Sequence, residues 1–321
     1  SEALYKMWKP KSVTNMYEPG SVFKIITSAI ALEENVVDTD TTTFNCTGSI
    51  SIPGESRPIQ CHKYPYSHGA QSLRQALENS CNPAFVDLGL RVGKERSYKY
   101  YEALNFFSKT GISLSGEREN GGIFYDINKI KPHELGTMSF GQRFTITPLQ
   151  MITAAACIAN DGVLLQPQIV DHITNTDTSE VTTFNTQEVR QVFSKETADK
   201  VASMMESVVE SGTGKKVKYD ENIKDSMSGY SIGGKTGTAQ KVENGVYLVN
   251  NYIMSFMAVV PSNNPEAVLY LAIDNPKHTA MLSSYTTTPI ARRILLDIIE
   301  ALDIKKQDSQ IEKEKEWSDK T

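Results

Sequence analysis

The chain has 321 residues, a net charge of −5 and 39% hydrophobic residues. That is enough for a sizeable core in one large unit with a subdomain, while the acidic balance excludes the clustered basic surface a nucleic-acid partner needs. No run approaches the roughly 18 apolar residues of a membrane span, and the opening Ser1-Glu2-Ala3-Leu4 has no signal-peptide core, so the chain is either cytosolic or an excised soluble piece of a longer protein.

Residues 1–20 read as an extended lead-in ending in Glu18-Pro19-Gly20. A helix follows whose Val22, Phe23, Ile25, Ile26, Ala29, Ile30 and Leu32 cover most of its circumference, so it should be buried nearly all round. Residues 44–62 alternate about Pro53-Gly54 and predict a β-hairpin. Residues 71–107 are helical in pattern. A helix over 147–160 starts at Thr147-Pro148, with proline in its first turn. Residues 196–211 form an amphipathic helix. Strands follow at 232–241, 246–260 and 267–274, the last two separated by Pro261 and Asn263-Asn264-Pro265. A closing helix spans about 289–303, and the charged residues 304–321 read as a solvated tail. Successive strands joined by short turns are usually antiparallel neighbours. The expected class is therefore α+β: an antiparallel sheet flanked by helices, with a mainly helical subdomain inserted before it.

Three short motifs occur in order: Ser21-Val22-Phe23-Lys24, Ser80-Cys81-Asn82 and Lys235-Thr236-Gly237-Thr238. Ser21 and Lys24 lie one helical turn apart on one face. A serine nucleophile needs an adjacent base, and a buried lysine can lose its proton near neutral pH. The helix N-terminus adds a positive field and free backbone N–H groups beside Ser21. Ser-x-x-Lys is a weak pattern, but this chain contains it once. Ser80 offers a hydroxyl to relay a proton, and Asn82 an amide to hold a substrate carbonyl. Ser-x-Asn alone is nearly uninformative and recurs at Ser262-Asn263-Asn264, which reads as a turn. The third triplet also has a double, Lys109-Thr110-Gly111, in a loop-like stretch. Lys235-Thr236-Gly237 instead sits within a strand pattern after Gly233-Gly234. Glycine inside a strand marks close approach by a ligand or another backbone, as a strand that docks a peptide alongside itself requires. Lys235, Thr236 and Thr238 would then grip a carboxylate.

In this order the motifs resemble those of the penicillin-binding transpeptidases, the penicilloyl-serine transferase family. Glu18-Pro19-Gly20-Ser21-Val22-Phe23-Lys24 is similar to the class B nucleophile motif. Ser80-Cys81-Asn82-Pro83-Ala84-Phe85 resembles class B enzymes of low-GC Gram-positive bacteria, including the sporulation-specific septal type. Thr110-Gly111-Ile112 with Gly116-Glu117, Ser139-Phe140-Gly141-Gln142 with Thr147-Pro148-Leu149-Gln150, Ser211-Gly212-Thr213-Gly214 and Gly234 to Gln240 extend the likeness over roughly residues 9–303. The expected division is a transpeptidase domain at 1–303 and a charged tail at 304–321. The chain departs from the pattern at Leu282-Ser283-Ser284-Tyr285, where a Tyr-Gly-Gly is expected; that bears on the rim of the cleft.

The resemblance implies a serine D,D-transpeptidase that crosslinks peptidoglycan. Ser21 attacks the penultimate D-Ala of a stem pentapeptide and Lys24 takes its proton. Ser80 and Lys235 pass a proton to the departing D-Ala, Asn82 positions the substrate, and Thr236, Gly237 and Thr238 line the carboxylate subsite. The N–H groups of Ser21 and Thr238 form an oxyanion hole, each donor worth about 3 kcal/mol. An amine on a second stem resolves the acyl-enzyme, and β-lactams trap Ser21. The resemblance also implies a membrane anchor, a non-catalytic pedestal, a glycosyltransferase partner and a place on the extracytoplasmic face of the membrane. Rivals with the same acylation chemistry are a D,D-carboxypeptidase and a β-lactamase; a rival of another class is a non-catalytic β-lactam sensor.

The four cysteines, Cys46, Cys61, Cys81 and Cys157, are too few for a disulfide scaffold. A hairpin centred on Pro53-Gly54 sets Cys46 directly opposite Cys61. His68 follows, and Cys81 lies within the second motif. Together Cys46, Cys61, His68 and Cys81 make a Cys₃His set suited to tetrahedral zinc. A Cys46–Cys61 disulfide or plain thiols are the alternatives. His62, next to Cys61 on the strand, should face away, and Cys157 should be a packed small residue.

Overall fold

A computed structural model describes residues 4, 7–219, 227–243, 246–277 and 283–307. A short helix α1 (Lys11–Thr14) interrupts the lead-in, and Tyr17 then bridges Ile146. A 3₁₀ turn over Gly20–Phe23 runs into α2 (Lys24–Glu33), which is buried from Lys24 to Leu32.

Residues 44–71 form two small ladders instead of one hairpin. Strand β2 (Ser49–Ile50) pairs with β3 (Ile59–Gln60), while β1 (Phe44–Cys46) pairs with β4 (Gly69–Gln71). Ser49 opposes Gln60 and Ile50 opposes Ile59, two residues off the register centred on Pro53-Gly54. Cys46 therefore faces Gly69, and the Cys61 N–H bonds the Gly48 carbonyl. The cause is Gly48, whose φ of +99° turns the chain just after Cys46 and ends the first ladder, a conformation glycine adopts without steric cost.

The helical lobe follows: α3 (Leu73–Glu78), α4 (Asn82–Val92) and α5 (Lys94–Ala103), then α6 (Pro132–Met138) and α7 (Pro148–Ala159). The Thr147 side chain caps α7, and Gln150 completes a reciprocal capping box. Between α7 and α8 (Lys195–Glu210) the chain makes two small antiparallel pairs that no sequence pattern predicts. They are β5 (Val163–Leu165) with β8 (Glu188–Gln191), and β6 (His172–Thr174) with β7 (Val181–Thr183).

The last part builds the antiparallel sheet in the order β11-β10-β9, from β9 (Gly233–Glu243), β10 (Val246–Val260) and β11 (Ala267–Asp274). Its centre is β10, whose second half, residues 254–260, is buried on both faces because it separates two cores. Met257 and Val259 join the large cluster around α2 and α8, whereas Phe256, Ala258 and Val260 join a second cluster with Ala291, Leu295 and Ile299. The latter come from α10 (Thr288–Ala301), which follows the short α9 (Ser283–Thr286). Ile304 is buried in the same cluster, and the Gln307 N–H bonds the Gly229 carbonyl, so residues 304–307 dock on the domain; the remainder of the expected tail lies outside the described residues. No helix among the described residues is long and apolar enough to cross a membrane.

Candidate active site

Ser21 sits in the 3₁₀ turn that opens α2. The Lys24 N–H bonds the Ser21 carbonyl, which sets the two residues one turn apart on one side of the segment. The turn abuts β9: a Cβ on Gly20 would lie 3.0 Å from the Thr238 carbonyl oxygen, and one on Gly237 would lie 2.9 Å from Val22 Cγ1 and 2.4 Å from Ser255 Oγ. The clearance at Gly237 is thus toward the nucleophile turn and β10.

Lys24 is fully buried. Its Nζ donates to the Ser80 carbonyl at 2.7 Å, to Ser80 Oγ at 3.1 Å and to Asn82 Oδ1 at 2.8 Å, with the Phe85 ring centroid 5.2 Å away. Burial pushes its amine down to about 7, against the opposing pull of Cys81 and Cys61. Ser80 and Asn82 flank the N-terminus of α4, and Ser80 has φ +50°. A non-glycine residue in that region stores strain of the kind concentrated at functional sites.

Lys235, also fully buried, donates to Ser80 Oγ and to the Thr236 carbonyl, both at 3.0 Å. Burial and then the Lys24 charge hold it well below the usual amine range. Thr236 Oγ1 donates to Thr213 Oγ1 at 3.0 Å, and Thr238 Oγ1 lies 2.8 Å from Ser283 Oγ, which itself donates to the Gly237 carbonyl. All three motifs therefore meet at one place. Thr213 and Ser283 are neighbours that the motif reading did not single out. Thr213 belongs to Ser211-Gly212-Thr213-Gly214, and Ser283, in a four-residue helix, to the Leu282-Ser283-Ser284-Tyr285 stretch where the chain departs from the family pattern.

Lys109 stands elsewhere. Its Nζ pairs with Glu119 at the surface, while Glu117 accepts from the Thr110 N–H and hydroxyl and from the Gly111 N–H. This triplet is a carboxylate-capped loop.

Cys46, Cys61, His68 and Cys81 converge as well, although Cys46 and Cys61 share no ladder. Their ligand atoms lie within 4.8 Å of one another, with Cys61 Sγ 3.4 Å from His68 Nδ1. All four cysteines are free thiols and buried. A hydrogen bond between the Cys81 and Cys61 thiols lowers the Cys61 thiol and, together with burial, raises that of Cys81. His62 lies beside His68, ring centroids 5.2 Å apart, but is not among the four converging residues. Cys157 is packed in α7, where burial raises its thiol.

Residues 2–296 match the family model described as penicillin binding protein transpeptidase domain. The chain is 39% identical over 311 residues to stage V sporulation protein D of Bacillus subtilis, covering 96% of this chain and 46% of that protein. It is 30% identical to a peptidoglycan D,D-transpeptidase FtsI homolog of Mesostigma viride, covering 92% of this chain and 50% of that one. Among solved structures, penicillin-binding protein 3 of Mycobacterium tuberculosis complexed with aztreonam superimposes with a TM-score of 0.80 at 26% identity, over 94% of this chain and 66% of that one. The transpeptidase domain of Burkholderia pseudomallei penicillin-binding protein 3 gives 0.77 at 25%, over 92% and 83%. The chain spans about half the length of the curated relatives it matches.

Proposed function

The chain belongs to the penicillin-binding protein transpeptidase family, and from that premise we propose that it is a serine D,D-transpeptidase that crosslinks peptidoglycan through an acyl-enzyme on Ser21. The observation that carries this reading is the convergence of Lys24 and Lys235 on Ser80 Oγ, at 3.1 and 3.0 Å. Ser21 attacks the carbonyl of the penultimate D-Ala of a stem pentapeptide, and Lys24, whose free base is available near pH 7, takes the hydroxyl proton. Ser80 accepts from both lysines, which leaves its own proton free to go to the departing D-Ala amine. Asn82 positions the stem backbone. Thr236 and Thr238, beside Gly237, hold the terminal carboxylate. An amine of a second stem then attacks the ester and releases Ser21. A β-lactam enters the same first step and stays bound.

The domain proper takes in the docked residues 304–307 as well as the expected 1–303, and the charged remainder of the tail is 308–321. The B. subtilis relative is named for a stage of sporulation, which supports a septal or spore-wall role for this chain. On the same reading the full protein is anchored in the membrane, works on its extracytoplasmic face and acts with a glycosyltransferase.

Cys46, Cys61, His68 and Cys81 hold a structural zinc ion. Ligands around one zinc stand roughly 4 Å apart, so a set already within 4.8 Å needs little rearrangement. Zinc there supplies a cross-link and no chemistry. The four ligands tie β1, the turn after β3, the start of β4 and the N-terminus of α4 together.

The test is intact-mass measurement with peptide mapping after penicillin treatment, alongside Ser21→Ala. A single adduct on the peptide bearing Ser21, absent from the folded variant, is expected. Labelling of Ser21→Ala at the wild-type rate would remove the nucleophile assignment.

A further inference from the structure

The segment entering the nucleophile turn is zipped to residues 141–146. Tyr17 and Ile146 exchange both backbone hydrogen bonds at 3.0 Å, and the Gly20 N–H bonds the Gly141 carbonyl at 2.8 Å. Between these rungs the backbone of the second segment is left-handed at Gly141, φ +85°, and at Arg143, φ +64°. Its fit against Gly20 is close: a Cβ on Gly141 would lie 2.1 Å from the Gly20 carbonyl oxygen. The rung missing from the middle is supplied by a side chain. Glu18 is buried, and its Oε1 accepts the Arg143 N–H at 2.9 Å. The Arg143 guanidinium is turned elsewhere, to His133 Nε2 at 3.0 Å and Glu134 at 3.4 Å.

The same carboxylate reaches a third element. Tyr247 Oη donates to Glu18 Oε1 at 3.1 Å and lies 3.3 Å from Oε2. Tyr247 belongs to β10 and pairs with Val242 of β9, beyond the irregularity that separates this end of the hairpin from Thr238 and Gly237. One buried carboxylate thus joins the stretch three residues before Ser21, the left-handed turn at Arg143 and the hairpin whose edge carries Lys235, Thr236 and Thr238. A buried carboxyl that bridges two donors in this way leaves both without that partner when it is removed.

We propose that Glu18 is a positioning residue for Ser21. By bridging the Arg143 N–H and the Tyr247 hydroxyl, it fixes the nucleophile turn against β9 and so sets the rate of acylation without touching the substrate. The proposal rests on the acyl-enzyme reading above. It assigns Tyr247 a share of the same task, because its hydroxyl ties the far end of the hairpin to the nucleophile segment, beyond the contacts that Thr238 and Gly237 make with the turn.

The experiment measures the maximal acylation rate and the half-saturation concentration separately with a fluorescent penicillin, in Glu18→Ala, Glu18→Gln, Tyr247→Phe and the Glu18→Ala/Tyr247→Phe double variant. Misplacing a nucleophile by about 1 Å can lower reaction about 100-fold, so Glu18→Ala is expected to lose a large part of its maximal rate with half-saturation nearly unchanged. Glu18→Gln recovers most of that rate, since its amide oxygen accepts from Arg143 and its NH₂ donates to Tyr247. Tyr247→Phe falls between, and the double variant is no slower than Glu18→Ala, the non-additivity expected of one shared contact. A wild-type maximal rate in Glu18→Ala, or a loss confined to half-saturation, overturns the proposal. Should Glu18→Ala fail to fold, as judged by its thermal melt, Tyr247→Phe decides: a lowered maximal rate supports the bridge, and a wild-type rate overturns it. Ser21→Ala run alongside separates the two claims. Its continued labelling removes the acyl-enzyme reading, whereas a silent Ser21→Ala with an unaffected Glu18→Ala removes only the positioning role.

Discussion

Lys24 and Lys235, from opposite ends of the chain, direct their side-chain nitrogens at one oxygen, Ser80 Oγ, from 3.1 and 3.0 Å. With both lone pairs of the hydroxyl engaged, its hydrogen is the one left to give away. Lys235→Ala should therefore slow acylation by about 100-fold or more, the range of a lost acid–base partner. Lys109→Ala should leave it within about twofold, because Lys109 contributes only an exposed ion pair to Glu119. Acylation rates of the two variants settle which triplet is used, and a larger loss in Lys109→Ala would reverse the assignment.

Gly237→Ala should slow acylation more than it destabilises the fold. The added Cβ would come within 2.4 Å of Ser255 Oγ and 2.9 Å of Val22 Cγ1, and relief pushes the Ser21 turn away from β9. Overpacking of this kind costs about 1–3 kcal/mol, which a urea titration resolves. A wild-type acylation rate in the presence of that destabilisation would show that the turn tolerates the displacement.

The parts legible in the sequence are those where one residue pattern meets one physical demand. Ser21 and Lys24 share a turn that the apolar run behind them buries; the second half of β10 is an apolar run buried on both faces; and Thr147 and Pro148 announce the start of α7. The hairpin register failed because an alternating pattern does not reveal that Gly48 ends the ladder early. Even so, the four zinc candidates meet, since β1–β4 pairing brings Cys46 next to the His68 strand by another route. The pairs β5–β8 and β6–β7 were missed because β6, β7 and β8 are exposed along their length, which leaves no buried face to impose alternation. Ile304 was assigned to a solvated tail because one apolar residue before a charged run has no period; its burial depends on the cluster contributed by α10 and β10.

Glu18 should make the protein less stable as pH rises through neutrality. Burial raises its carboxyl from 4.5 to about 7, in spite of the Arg143 and Tyr247 hydrogen bonds. The folded value lies above the unfolded one, so the contribution is fully present below pH 4.5 and is lost as pH climbs through about 7. A shift of this size corresponds to at most about 3 kcal/mol. Glu18→Gln, which cannot ionise, should gain stability relative to the native chain between pH 4.5 and pH 8, as read from unfolding free energies at the two ends. A difference between the two proteins that stays constant over that window would mean Glu18 ionises in the fold as it does unfolded.

Removing metal should lower stability and acylation together. Cys81 stands between Ser80 and Asn82, both bonded to Lys24 Nζ, while Cys46, Cys61 and His68 come from the small ladders before α3. A zinc ion bound by all four would hold the Ser80–Asn82 backbone through Cys81. A ligand that binds only the folded state stabilises it by mass action, so chelation should lower Tm by roughly 5–10 °C for a domain of this size. Acylation should slow in parallel, because Ser80 holds a strained φ of +50° that such a cross-link would help to maintain. Cys46→Ser should reproduce both effects, since it deletes a thiolate far in sequence from every catalytic residue. A Cys46–Cys61 disulfide predicts the opposite pattern, loss of stability with reductant and indifference to chelator. Structural zinc is bound tightly enough to survive purification, so elemental analysis of protein prepared without chelator should find close to one equivalent; less than about a tenth would end the zinc reading.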